Sequence, residues 1–133
     1  MAKPYYEFFC PVKIVAGHMA LEHIPFELST LQAKRPMIIT DKGVRGAGLL
    51  AHVEAAFEGA EAVIAAIYDD VPPDSSLTTV RDAAALFRAN NCDAIIAIGG
   101  GSVIDTSKGV NILVTEGGDD LMKYMGAHNL KRP

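Results

Sequence analysis

Cysteine is scarce in this chain of 133 residues, with Cys10 and Cys92 making up the whole supply. Two thiols cannot build a disulfide framework, and neither has a neighbour at zinc-ligand spacing. They read as buried free thiols of a reducing compartment, which points to the cytoplasm. Basic clusters are missing too. Twelve Lys and Arg against 16 Asp and Glu leave a formal net charge of -4, and the pairs Lys34-Arg35 and Lys131-Arg132 stand alone. Nucleic acid is not an expected partner, because neutralising phosphates needs a concentrated basic face. No apolar run approaches the roughly 20 residues that cross a bilayer. The start, Met1–Glu7, lacks the basic and apolar regions of a secretory signal, so no membrane partner is expected.

Reactive groups are equally thin. His18, His23, His52 and His128 show no metal-ligand spacing among themselves. Glu116, Asp119 and Asp120 are explained by a turn and a helix cap. No serine or cysteine sits in a nucleophile setting. The sequence therefore names no catalytic and no metal-binding residue.

What is present is an ordinary globular composition, 50% apolar and 21% charged. The length suits one domain that buries roughly two-thirds of its unfolded surface. From residue 35 onwards, short apolar runs alternate with longer helical stretches. Met37–Thr40 is a strand, closed by the turn Asp41-Lys42-Gly43. Leu50, Val53 and Phe57 then recur at helical spacing. Ala62–Tyr68 is nearly continuous apolar sequence, as expected of a strand covered on both faces. A helix capped by Ser75 or Ser76 follows, with Leu77, Val80, Ala84 and Phe87 on one face and Asn90-Asn91 at its end.

Ala94–Ile98 is the clearest buried strand, and after the glycines a helix runs from about Val103 to Val114. Asp119 is placed to cap a short last helix ending at Met125-Gly126, with Ala127–Pro133 as an exposed tail or linker. The pattern is βαβαβ, an α/β fold with a parallel sheet and helices on both faces. Phe8–Val15 reads as an added edge strand or an N-terminal strand pair, and Pro25–Ala33 as a short helix.

The turn Gly99-Gly100-Gly101-Ser102 lies between a buried strand and a helix start. Glycines there bare backbone N–H groups at the carboxyl end of the sheet, where the helix dipole favours an anion such as a diphosphate. Ser102 adds a hydroxyl, to a phosphate or to the helix start. Ser102 and Asp105 also match a capping box, which leaves Asp105 open between a structural role and a place beside the ligand. Lys108 stands too far along for a Walker A loop, and the glycine spacing is not G-x-G-x-x-G. Asp41 shares the rim with the glycines and is either a ribose-binding acid or a turn residue. Asp74, after the second strand, is a weaker candidate of the same kind, or merely a helix start.

With these residues assembled, the chain resembles the N-terminal half of the iron-containing alcohol dehydrogenases. The resemblance rests on Gly99–Lys108 with the strand before it. Ile39–Gly43, Val71–Asp74 and the stretch from Gly117-Gly118-Asp119 through Tyr124-Met125-Gly126 support it. Ser102 separates the chain from the related glycerol dehydrogenases, which carry Lys there.

The resemblance implies a Rossmann-like domain, residues 1–133, that binds NAD in preference to NADP. Gly100, Gly101 and Ser102 would then hold the diphosphate, with Asp41 at the adenosine ribose. The family has Asn-Pro where this chain has Asp74-Ser75, and a small alanine where it has Ser107. It also implies an enzyme that interconverts alcohols with aldehydes or ketones. Fe2+ or another divalent metal would be held by a helical domain absent from this chain, leaving the chain inactive alone. The alternative is a non-catalytic nucleotide-binding or regulatory module. A domain lacking its usual cover should expose an apolar patch and form homo-oligomers.

Overall fold

The computed structural model describes residues 8–126 and 129–132. Three parallel strands, β1 (Pro36–Thr40), β2 (Ala66–Tyr68) and β3 (Ala94–Ile98), form one sheet in the order β2-β1-β3. β1 is central and buried along its whole length. Its side chains alternate between two cores, as a pleated strand requires. Ile38 packs with Leu50 and Val53 on one face, while Met37 and Ile39 pack with Val80, Ala83, Ala84, Val103, Val110 and Leu113 on the other. Each such large apolar side chain contributes about 1.5–3 kcal/mol by leaving water.

Helices cover both faces. On the first lie α1 (Ile24–Thr30), led by a 3-10 turn at Ala20–His23, and α3 (Leu49–Ala55). On the second lie α4 (Leu77–Ala89) and α5 (Gly101–Glu116). α5 runs close to α4 because Gly109 has no side chain: a Cβ there would stand 3.0 Å from Val80. The result is a Rossmann-like α/β fold, as expected. The strand starts are tied together by Asp93, whose carboxylate accepts from the backbone N–H groups of Lys34 and Arg35, each at 2.8 Å. At the far end of α5, the Arg88 guanidinium donates to the carbonyls of Leu113 and Gly118 at 2.8 and 2.6 Å.

Several expectations need correction. Phe8–Val15 forms no strand: among the described residues its one local backbone bond runs from Val12 to Cys10 and no ladder partner lies beside it, and Phe8, Phe9 and Ile14 are more than four-fifths exposed. Cys10 is exposed rather than buried, and Cys92 is half-buried. The helix after β1 is broken into α2 (Lys42–Gly46) and α3 by Gly48, whose φ of 76° is left-handed. β2 is shorter than its apolar run. Val63 and Ala65 reach β1's neighbourhood by N–H bonds to Lys34 and Pro36, but the ladder begins only at Ala66. The last turn, a 3-10 helix at Leu121–Tyr124, is capped by Asp120 and not Asp119. The helix near Pro25 is present, with that proline in its first turn. Met1–Glu7, Ala127, His128 and Pro133 lie outside the described residues.

Candidate functional site

The chain leaves β1 toward α2 and α3 on one face of the sheet, and leaves β3 toward α5 on the other. Neighbouring strands whose connections part in this way open a crevice between their carboxyl ends. A cleft of ≈ 490 Å³ lies there, walled by residues 41–43 after β1, 70–73 after β2 and 100–103 after β3. The strand ends behind these loops are tied by Thr40, fully buried, whose hydroxyl donates to the Ile98 carbonyl at 2.6 Å.

The three glycines do different work. Gly99 has a φ of 155°, and a Cβ there would stand 2.6 Å from Val103 Cγ2. Its lack of a side chain is demanded by the fold. Gly100 and Gly101 line the cleft, and a Cβ on either would meet nothing within 4 Å. No internal contact requires glycine at these two positions, and a side chain there would stand in open space beside the cleft. α5 begins at Gly101, with Gly100 as N-cap and no side chain capping it. Its first backbone N–H groups therefore point at the cleft without intrahelical partners.

The capping box expected of Ser102 and Asp105 does not form, because the helix starts one residue before Ser102. Instead, the Ser102 hydroxyl donates to the Pro73 carbonyl. Ser75 donates to the Ser102 carbonyl at 2.9 Å and accepts from Thr106 at 3.1 Å. These bonds stitch the loop after β2 to the head of α5. Ser76, not Ser75, caps α4, accepting from Thr79 N at 3.1 Å. Asp105 is exposed, pairs with Lys108 at 3.6 Å and stands outside the cleft wall. Asp74 is exposed and one residue beyond that wall.

Asp41 divides its carboxylate. One oxygen accepts from Val44 N at 2.8 Å and caps α2, while the other lies toward Gly99, 3.4 Å from where a Cβ would be. Beside it, Lys42 pairs with Asp70 across the cleft mouth at 2.8 Å. That contact, with a smaller contribution from Asp69, raises the Lys42 pKa above the ordinary lysine value. Asp69 itself binds Arg45. Lys42, Asp70 and Val71 were not among the sequence candidates. The rule that ligands sit just past strand ends would have found them, since each lies within three residues of the end of β1 or β2.

Among the described residues, no three His, Cys, Asp or Glu gather as a metal site, and no helix is long and apolar enough to cross a membrane.

An open parallel sheet with a glycine-walled cleft at the point where its connections part is the architecture of nucleotide-binding α/β domains. The family profile for iron-containing alcohol dehydrogenases matches residues 11–133, and the chain belongs to that family. It is 34% identical to a 1,3-propanediol dehydrogenase of Klebsiella pneumoniae, over 100% of this chain and 34% of that protein. An NAD-dependent methanol dehydrogenase of Bacillus methanolicus is 32% identical over 95% of this chain and 32% of its own length. The solved alcohol dehydrogenase from Oenococcus oeni superposes with a TM-score of 0.85 at 31% identity, covering 97% of this chain and 34% of that one. The chain thus spans about a third of the relatives it matches.

Proposed function

We propose that this chain is the NAD-binding portion of an iron-type alcohol dehydrogenase, holding the cofactor's diphosphate at Gly99–Ser102. The observation that carries this reading is the contrast between the glycines. Gly99 is needed by the fold, whereas Gly100 and Gly101 line the cleft with no internal contact that calls for glycine. A diphosphate laid against the head of α5 would accept from its free N–H groups without meeting a Cβ. The free Asp41 oxygen would accept from the adenosine ribose hydroxyls and repel a 2′-phosphate, which favours NAD over NADP. Asp74 stands at the outer lip, where only the adenosine end would come near it. Asp105, tied to Lys108, serves the helix surface.

Hydride transfer between an alcohol and its aldehyde or ketone belongs to the whole enzyme. A divalent metal in such an enzyme polarises the alcohol oxygen, and its ligands come from outside this chain. The chain alone binds cofactor without turnover. A cytoplasmic location accords with its two free thiols. Homo-oligomer formation accords with the exposed Phe8, Phe9 and Ile14.

Titration with NADH, followed by nicotinamide fluorescence, tests the reading. Saturable enhancement that is lost in Gly101→Val supports it. No response at millimolar NADH, or an equal response in Gly101→Val, overturns it.

A further inference from the structure

Three charged side chains wall the cleft: Asp41, Lys42 and Asp70. Asp41 is pinned, because one of its oxygens caps α2. Lys42 is the wall's single cation among the described residues, and its ammonium is held by Asp70 at 2.8 Å across the mouth. The pair joins the start of α2 to the loop after β2, with Arg45 and Asp69 forming a second bridge alongside. Both Lys42 and Asp70 are largely solvent-exposed, so their contact is weak as a fold stabiliser. Its consequence is electrostatic. While Asp70 neutralises Lys42, the ribose end of the cleft carries the uncompensated charge of Asp41. With Lys42 released, the flexible ammonium could swing toward a ligand and offset that charge.

Building on the dinucleotide reading, we propose that Asp70 is a specificity-determining residue, which excludes a 2′-phosphorylated cofactor by keeping the Lys42 ammonium occupied. Asp41 supplies the repulsion, and Asp70 withholds the cation that would cancel it. Two charges on a 2′-phosphate beside a freed ammonium interact strongly enough, even in a watery cleft, to be read in binding. The effect is screened by salt.

The experiment measures NADH and NADPH affinity by fluorescence for the unaltered chain, Asp70→Asn, Lys42→Met and the double variant. Circular dichroism and melting curves accompany each to establish that it is folded. In Asp70→Asn the affinity ratio of NADPH to NADH is expected to rise roughly threefold to tenfold at low salt. It should fall back near roughly 1 M salt, where the screening length is about 3 Å. Adding Lys42→Met to Asp70→Asn should return the ratio to the starting value. An unchanged ratio in folded Asp70→Asn overturns the proposal. So does a raised ratio that persists in the double variant, since Asp70 would then be repelling the phosphate directly. Failure of the unaltered chain to bind NADH is a separate result, which removes the dinucleotide reading itself and this role of Asp70 with it.

Discussion

Thr40 donates its hydroxyl proton to the Ile98 carbonyl at 2.6 Å, joining the last residues of β1 and β3 just before Asp41 and Gly99. Thr40 is fully buried, so no water can substitute for the lost donor without rearrangement. Thr40→Val keeps the side-chain shape and removes the bond, at an expected cost of about 1–2 kcal/mol. Urea unfolding should show a lower midpoint at an unchanged slope. Because this bond sets the spacing of Asp41 and Gly99, NADH binding should weaken as well. An unaltered midpoint would contradict the assignment.

The glycines should separate fold from function. Gly99→Ala forces a Cβ against Val103 in a backbone region that alanine avoids, and should destabilise by roughly 1–3 kcal/mol. Gly101→Val places its side chain in open space, so its stability should stay within about 1 kcal/mol of the parent while NADH binding is lost. Melting temperatures and NADH titrations of both variants check this. Equal destabilisation by the two would show that neither glycine is reserved for a ligand.

Asp41→Gly tests the two roles of that carboxylate together. Loss of the α2 cap should cost only a few tenths of a kcal/mol, because glycine is itself tolerated at an N-cap, and loss of the second oxygen should raise NADPH affinity relative to NADH. A stability loss with no change in cofactor preference would leave Asp41 as a cap alone.

Much of this was legible in the sequence, and the reasons are specific. Ala94–Ile98 and Met37–Thr40 are apolar, β-branched and closed by turn residues, so both strands were readable to within a residue. The glycine turn was visible because a helix cap does not need three glycines in a row. That only Gly99 serves the backbone was not visible, since it depends on where Val103 places a methyl group. Phe8–Val15 has strand composition, but a strand also needs a partner ladder, and composition does not report one. Ser102 fitted a capping box in spacing. The glycine before it started the helix earlier and turned its hydroxyl to Pro73. The Lys42–Asp70 pair links residues 28 positions apart, a contact that local pattern does not encode.

Cys92 predicts a pH effect. Burial, with a smaller push from Asp93 and an opposing pull from Arg35, raises its thiol pKa in the folded chain. The unfolded chain therefore loses this proton first as pH rises. The contribution is fully present below the ordinary thiol range and declines as pH climbs through and above that range. Urea midpoints across that range should fall less steeply in Cys92→Ala than in the parent, and identical slopes would contradict the shift. Iodoacetamide should label exposed Cys10 before half-buried Cys92.

The exposed N-terminal apolar residues predict self-association. Phe8, Phe9 and Ile14 are 82%, 84% and 85% exposed. Sedimentation should show concentration-dependent oligomers that a triple serine variant at these positions abolishes. A parent chain that stays monomeric at high concentration would contradict this.

The most direct test of the central claim is the amide NMR spectrum of the 15N-labelled chain during NADH titration. The diphosphate reading predicts that the largest shifts fall at Gly99–Val103 and Asp41–Gly43, with α1 unmoved. Shifts centred on α1, or none at saturating NADH, would show that the glycine cleft is not where the cofactor binds.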